Sequence, residues 1–492
     1  MEGDLLDFLK INSFIFRELL YNLIIAEIII LSWRCAVKMM DIINRVNDVL
    51  WGPPLLILLV GTGLFLTLRL GFLQFHQLPY ALKLAFTKHQ DHKSDGDISH
   101  FQSLMTALSA TIGTGNIAGV ATAVVSGGPG AVFWMWITAL VGMATKYSEA
   151  ILAVKYRITD DKGEKAGGPM YYIEKGLGWK WMAVLFALFA TVASFGIGNI
   201  VQSNSVADSI QQSFGVPMWV SGIILAFFTA LVILGGIKSI GRVTAYLVPF
   251  MALFYVVGGF IIILYNVDKI VPAFSLIFSD AFTGQAMAGG AIGTVIRYGV
   301  ARGVFSNEAG LGSAPIAAAA AKTDHPGRQA LVSMTGTFLD TIVVCTITGV
   351  TLVIGGLYTG DLKGAALTTE TFNQLFPLLP GVGGWIVTIG LILFAYSTIL
   401  GWSYYGEKSY EYLFGTKTIG LYRWVFVIVV FIGTLGKSDL VWGLADVFNG
   451  LMAIPNLIAL LLLSGVIVTE TRKFRELIRE ERRVSPPVQS KA

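Results

Sequence analysis

The stretch SATIGTGNIAGVATA (109–123) lies inside an uncharged run long enough to cross a bilayer, yet it holds three glycines, three threonines and an asparagine. In hydrocarbon every backbone N–H and C=O must be satisfied, so a spanning helix breaks only where the freed groups line a polar, protein-enclosed cavity. Gly113, Thr114 and Gly115 are candidates for such a break, because glycine lets the chain unwind and lets a ligand approach the backbone closely. The alternative is close helix packing, since Gly, Ala, Ser and Thr also populate transmembrane interfaces.

The rest of the chain sets that stretch in a membrane. Of its 492 residues 54% are hydrophobic and only 13% charged, with a mean hydropathy of +0.69, too apolar for a soluble domain of this length. Apolar runs of about 17 to 25 residues, each able to cross about 30 Å of hydrocarbon as a helix, recur along the sequence. A barrel would need short alternating strands instead. Runs bounded by charges and turn residues give a leading span at 53–70 and ten core spans at 101–125, 131–154, 181–206, 218–235, 244–265, 294–321, 330–357, 383–405, 424–435 and 440–469. The expected fold is therefore an all-α polytopic membrane protein of about eleven transmembrane helices. It divides into an N-terminal extension (1–40), the leading span with its loop (41–100), two five-helix sets (101–265 and 266–469) and a basic tail (470–492).

Charge placement tests that count. If the loop after the leading span is cytoplasmic, the loops on its side hold 24 Lys and Arg, against 3 on the other, Lys269, Lys363 and Lys437. Such a bias is what the positive-inside rule demands of a correct set of spans. It places the tail ETRKFRELIREERR in the cytoplasm, as a solvated helix near anionic headgroups. A net charge of +4 carried by loops and tail argues against a nucleic-acid partner. Cys35 and Cys345 imply neither a disulfide framework nor a metal site. The run LLYNLIIAEIIILSW is short for a span and carries Glu27, and Met39 and Met40 stand just before DIINRVNDVLWGPP. Residues 1–40 thus read as a mis-assigned start or a dispensable extra helix.

An internal repeat fixes the architecture. SNEAGLGSA from Ser306, laid on GNIAGVATA from Gly115, aligns Asn307 with Asn116, Ala309 with Ala118 and Gly310 with Gly119. Pro-Gly turns follow both copies, at Pro129-Gly130 and Pro326-Gly327, and the copies lie five spans apart. An odd spacing makes the second copy enter the membrane from the opposite side, which is an inverted-topology repeat. The second break is then expected over 306–312. Half-helix N-termini at such breaks attract a carboxylate, while carbonyls ending the preceding halves attract a cation.

At these residues the sequence resembles the alanine/glycine:cation symporter family, also called sodium:alanine symporters. The resemblance is carried by the 109–157 run that begins SATIGTGNIAGVATA, by ARGVFSNEAGLGSAPIAAAAAKTDHPGRQALVSMTGTFLDT, and by GGPMYYIEKGLG and GNIVQSNSVADS, and it covers roughly 41–471. It implies a leucine-transporter-type fold, five plus five helices in inverted repeat with one additional helix, here the leading span. It also implies a sodium site of Ser109 and Ile112 carbonyls, Ser397 and Thr398 hydroxyls and the Phe394 carbonyl. Neutral oxygens suit a monovalent cation that must be released again.

By the same resemblance the substrate, alanine or glycine, sets its carboxylate at Thr114, Gly115 and Asn116 and its ammonium near Phe305, Ser306 and Asn307. Asn199 and Gln202 are polar residues within a span that either complete this shell or bond between helices. Phe305 and Trp402 are candidate walls of a small pocket. The implied protein is a bacterial or archaeal inner-membrane importer, active as a monomer, with sodium as coupling ion and no cofactor.

Ionisable residues inside spans need an account. Lys146 and Glu149, three apart on one helix face, are expected to pair, and Glu308 and Asp340 either couple to a gate or pair with Arg297 or Arg302. The span 244–265 has no charged residue, whereas some proton-coupled relatives of the fold place a lysine there. A proton-coupled carrier of another amino acid keeps the same fold and remains an alternative. A channel would repeat its pore element about an axis normal to the membrane. An enzyme would need a catalytic constellation, and no HExxH, GxSxG or GxxxxGK[ST] motif is present.

Overall fold

The computed structural model describes residues 38–87, 94–282, 291–436 and 439–484. It divides into two compact units at Val49/Leu50. The first contributes only helical residues 38–49, so the expectation for 1–40 falls, apart from 38–40, outside the described residues.

The second unit is almost wholly helical. Its α-helices longer than one turn are α1 (Pro53–Arg69), α2 (Leu73–Phe86), α3 (His100–Thr111), α4 (Ala118–Gly127), α5 (Gly130–Lys155), α6 (Lys180–Phe195), α7 (Val201–Phe214), α8 (Met218–Ile233), α9 (Gly236–Tyr265), α10 (Ile270–Phe282), α11 (Ala291–Asn307), α12 (Ala314–Ala319), α13 (Pro326–Thr337), α14 (Thr346–Gly355), α15 (Gly364–Leu375), α16 (Val382–Phe414), α17 (Ile419–Leu435), α18 (Asp439–Leu462) and α19 (Ser464–Val484). A short hairpin, β1 (Ile158–Thr159) with β2 (Lys165–Ala166), lies between α5 and α6. Eight helical runs among the described residues are long and apolar enough to cross a membrane, and the bent pair α3/α4 makes a ninth. The other two of the eleven expected spans are α8, which is short, and the interrupted pair α11/α12. Where a loop was expected after the leading span there is α2, and the expected 440–469 span divides into α18 and α19 at Leu463.

Both expected breaks are present. α3 ends at Thr111, one tight turn covers Thr114–Asn116, and α4 departs at 60° to α3. α11 runs through Asn307, so the second break covers 308–313, slightly later than 306–312. There Glu308, Gly310 and Gly312 take φ of +56°, +91° and +83°. The glycines tolerate this freely, whereas Glu308 bears a strain of about 1–3 kcal/mol of the kind that gathers at functional sites. Pro326 then starts α13, where the His325 side chain accepts from the Gly327 N–H, much as Pro129 precedes α5. α5 packs against α11, α13 and α1 and buries most of its length, which places it at the centre of the molecule.

The face that carries the basic loops is closed. The segment before α3 pairs with the end of α12, Asp97 and Ile98 N–H both donating to the Ala320 carbonyl and Lys322 N–H to the Ile98 carbonyl. Arg157 adds bonds to the carbonyls of Ala319 (3.0 Å) and Ala321 (2.7 Å). The hairpin is held to α16 by Lys408, whose fully buried ammonium meets Glu411 (2.8 Å), Asp160 (3.1 Å) and Glu164 (3.4 Å). The tail helix α19 is docked along one face and exposed along the other. Arg328 pairs with both Asp324 and Glu481, Lys155 with Glu470, and the Phe474 ring stacks on His325 at 5.3 Å.

Removing the single ammonium from a buried carboxylate cluster leaves charge uncompensated, a loss of about 3–5 kcal/mol. Lys408→Met should therefore lower the melting temperature of the detergent-purified protein clearly, and adding Glu411→Gln should restore part of it. A Lys408→Met protein that melts like the parent would show that the hairpin is held by other contacts.

Candidate functional site

The first break frees backbone oxygens in a defined way. The Gly113 N–H, which would close a helical bond to the Ser109 carbonyl, donates instead to Asn116 Oδ1 at 2.9 Å. The Asn116 N–H, due to the Ile112 carbonyl, turns to the Gly113 carbonyl at 3.3 Å. The Ser109 and Ile112 carbonyls thus lose their helical donors and face α16. There Ser397 Oγ lies 3.2 Å from the Ser109 oxygen and 3.5 Å from that of Ile112, and Thr398 Oγ1 lies 3.3 Å from the latter. The same hydroxyls sit 2.8 and 3.0 Å from the Phe394 carbonyl of their own helix.

Five neutral oxygens therefore converge, and they own only two protons, those of the two hydroxyls. An excess of lone pairs in a buried cluster is the donor set that a hard monovalent cation takes. Two glycines make the approach possible. A Cβ on Gly113 would stand 2.5 Å from Thr398 Oγ1, and one on Gly401 would stand 2.7 Å from Ser109 Oγ. Among the described residues no cluster of His, Cys, Asp and Glu could hold a metal, so this oxygen set is distinct from a transition-metal centre.

The second break works in the same way. Ala309 N–H turns to Asn307 Oδ1 (2.9 Å) and Gly310 N–H to Glu149 Oε1 (3.2 Å), which releases the Phe305 and Ser306 carbonyls from their helical donors. Leu311 N–H goes to the Glu308 carbonyl and so releases that of Asn307. These carbonyls end α11 beside the first break: a Cβ on Gly115 would lie 3.2 Å from the Phe305 ring and 3.4 Å from Ser306 Cα. The C-terminal end of α11 is thus an electronegative wall set against the turn at 114–116.

Side chains from other helices knit the two breaks together. Gln202 places Oε1 3.4 Å from the Thr114 N–H and donates Nε2 to Thr114 Oγ1 (3.2 Å) and the Ile197 carbonyl (3.0 Å). Asp340 accepts from Asn116 Nδ2 (2.7 Å) on one oxygen and from Ser306 Oγ (2.8 Å) and Thr341 Oγ1 (2.7 Å) on the other. Trp402 is buried and donates Nε1 to Glu308 (2.9 Å), whose other oxygen accepts from Ser313. Asn199 donates to the Phe426 carbonyl of α17 (2.9 Å), the interhelical bond that was the second reading of its place in the sequence. Asn199 and Asp340 both lie in π-helical turns, Gly196–Ile200 and Phe338–Cys345, a distortion frequent at functional sites.

The chain has the architecture of known transporters. Over 77% of this chain and 93% of the other, it superposes on MhsT, solved in complex with L-phenylalanine, with a TM-score of 0.58 at 14% identity, which establishes the shared leucine-transporter-type fold. The model of the sodium:alanine symporter family matches residues 36–488. The chain belongs to that family. It is 65% identical to the sodium/alanine symporter AgcS of Methanococcus maripaludis, over 90% of this chain and 98% of that one. It is 40% identical to the probable sodium/glutamine symporter GlnT of Bacillus subtilis, over 88% and 90% of the two.

In this symporter-family chain the structure brings together Ser109, Ile112, Phe394, Ser397 and Thr398 at one point, and Thr114, Gly115, Asn116, Gln202, Phe305, Ser306 and Asn307 at an adjoining one. Sequence reasoning undervalued Asp340 and misjudged Glu149. Lys146 and Glu149 form no ion pair, and Lys146 Nζ has no hydrogen-bond partner. Glu149 instead accepts from the N–H groups of Gly310 and Gly312 and from Asn456 (2.6 Å). The available signal was the bare presence of a carboxylate within a span.

Asp340→Ala would take the carboxylate from three buried donors, leaving Asn116 and Ser306 mainly the weak Cys345 sulfur acceptor (3.3 and 3.2 Å), at about 1–3 kcal/mol for each bond lost. Thermal unfolding in detergent should show a large loss for Asp340→Ala and a smaller one for Asp340→Asn, which keeps one acceptor oxygen. Equal melting of the two variants would remove Asp340 as the link between the breaks.

Proposed function

We propose that this protein is a secondary active transporter that imports alanine or glycine together with sodium by alternating access. The observation that carries the reading is the five-oxygen cluster at Ser109, Ile112, Phe394, Ser397 and Thr398, with its surplus of lone pairs beside two interrupted helices. Family membership supports it, and so does the name of the 65% identical relative. Sodium binds at that cluster as cargo, and the hydroxyl protons rotate outward to leave lone pairs toward the ion.

The amino-acid carboxylate takes the N–H groups of Thr114 and Gly115 in the turn closed by Asn116, whose own N–H is held by the Gly113 carbonyl. It displaces Gln202 Oε1 from the long 3.4 Å contact with the Thr114 N–H and then accepts from the Gln202 amide. The ammonium takes the released carbonyls of Phe305, Ser306 and Asn307, a neutralising arrangement that leaves no charge of the zwitterion unpaired. Phe305 and Trp402 restrict the side chain to a methyl group or hydrogen.

Closure of the basic-loop face by Arg157 and Lys408 fits a resting arrangement that faces away from the cytoplasm. The opposite side carries an open cavity of about 710 Å³ lined by Asp208, Gln212, Lys363, Glu370 and Thr388 and reaching Leu391 of α16. That cavity serves as the entry vestibule. The working unit is a monomer in the inner membrane, with the C-terminal tail in the cytoplasm.

Uptake of radiolabelled alanine into proteoliposomes, with an inward sodium gradient, an inward proton gradient or neither, tests the reading. Sodium alone should drive concentrative uptake, and uptake driven by protons alone would overturn the ion assignment. Ser397→Ala with Thr398→Ala should raise the sodium concentration for half-maximal uptake about tenfold or more, equivalent to about 1.4 kcal/mol, while the protein stays folded. Gly115→Leu, which fills the space against Phe305, should abolish alanine binding measured by equilibrium dialysis. Normal binding by that variant would mean that the substrate lies elsewhere.

A further inference from the structure

Among the described residues, a basic cleft with two arginines is lined by no acidic side chain. It has a volume of about 360 Å³ and lies on the face of the basic loops, between α2 and the tail helix α19. His76 and Gln77 of α2 and Arg475 and Arg479 of α19 supply its polar lining, Leu73 and Ile478 part of its apolar lining, and no acidic residue lines it. Arg475 spends one N–H on the Leu70 carbonyl (2.9 Å). Neither arginine makes an ion pair among the described residues, although α19 forms such pairs elsewhere through Glu470 and Glu481.

Exposed apolar residues flank the cleft. Just after α1, Gly71 and Phe72 take φ of +67° and +56° and turn the chain into α2. Phe72, Phe75 and Phe86 are exposed there, as are Leu64, Phe65 and Leu68 on α1. Aromatic residues exposed next to the end of a spanning helix belong at the headgroup level, where apolar rings meet polar surroundings. A ligand suited to this place joins an anion that two guanidinium groups can chelate to apolar tails that lie along the exposed rings. Basic pockets at the membrane edge take acidic headgroups in this manner.

We propose that the cleft between α2 and α19 binds the phosphodiester headgroup of an anionic phospholipid, with Arg475 and Arg479 on the phosphate and the acyl chains along Phe72, Phe75 and the outer face of α1. Such a lipid fastens the tail helix to α2, and α19 in turn grips α13 through Arg328–Glu481. The lipid is then a structural ligand of the closed basic-loop face.

The test uses the delipidated full-length protein in a neutral detergent. Its melting temperature is followed with added phosphatidylglycerol, phosphatidylcholine or inorganic phosphate, for the parent, Arg479→Gln and Arg472→Gln, the last a basic residue of α19 outside the cleft. Phosphatidylglycerol should raise melting of the parent and of Arg472→Gln by several degrees. Arg479→Gln should melt like the parent without lipid and lose at least half of the rise. Native mass spectrometry should show one fewer retained phosphatidylglycerol in Arg479→Gln than in the parent. An equal rise in all three proteins would mean diffuse attraction to a basic helix and overturn the site. The same rise with inorganic phosphate alone, or with phosphatidylcholine, would overturn the anionic-lipid assignment.

Discussion

Everything around the two breaks depends on one constraint: a helix interrupted inside an apolar slab must find partners for the backbone groups it frees. Here the N–H groups are answered by side chains. Asn116 takes that of Gly113, Asn307 that of Ala309, and Glu149 those of Gly310 and Gly312. Capture of the Gly113, Ala309 and Gly310 N–H groups leaves over the Ser109, Phe305 and Ser306 carbonyls they would have bonded in a helix, and those of Ile112 and Asn307 are left over because the Asn116 and Leu311 N–H groups turn to the nearer Gly113 and Glu308 carbonyls. The carbonyls of Ser109 and Ile112 are left toward α16, and those of Phe305, Ser306 and Asn307 at the end of α11 beside the first break. The site is what remains once the breaks have been satisfied, which is why it contains so few charged side chains of its own.

The same constraint ties the site to the closed face. α16 is a helix of 33 residues with no proline inside it. It carries Ser397 and Thr398 near its middle and Lys408 some ten residues on, about 15 Å along the axis. Displacing α16 from α3 separates the hydroxyls from the carbonyls of Ser109 and Ile112. It also strains the contacts of Lys408 with Asp160 and Glu164. Contact between α16 and α3 at the oxygen cluster and closure of the basic-loop face are therefore two demands on one rigid element.

Much of this was legible in the sequence. The repeat of GNIAGVATA in SNEAGLGSA located both breaks, because glycine and asparagine in an apolar run have few other physical explanations. Ser397 and Thr398 were placed by the family pattern, since an adjacent pair of hydroxyls has no periodicity to distinguish it from hydroxyls that bond back to their own helix. Both bond sets are in fact present. Asp340 and Glu149 could be flagged as buried charges, but their roles could not be read. Their partners lie 224 and 34 residues away for Asp340, and 161, 163 and 307 for Glu149, and no local spacing encodes such meetings. The helix α2 was hidden for a different reason: it lies between the charges that mark a loop, contains Pro79 and has only moderate apolar content.

Where the charges sit completes the physical picture. Near the breaks, Glu149, Glu308 and Asp340 are fully buried and have no oppositely charged partner within 4 Å among the described residues, being satisfied by N–H and O–H donors instead. Ion pairs gather at the basic-loop face, at Lys408, Arg328, Lys155 and Arg423. When the face opens, an ion pair there exchanges its partner for hydration, which offsets part of what is lost. A charge at the membrane centre has no such exchange, and losing a partner there costs several kcal/mol. A protein that must open at its edge while keeping two broken helices intact at its centre therefore needs ion pairs at the first place and dense neutral hydrogen bonding at the second. Lys408 and Asp340 are the residues on which those two requirements fall.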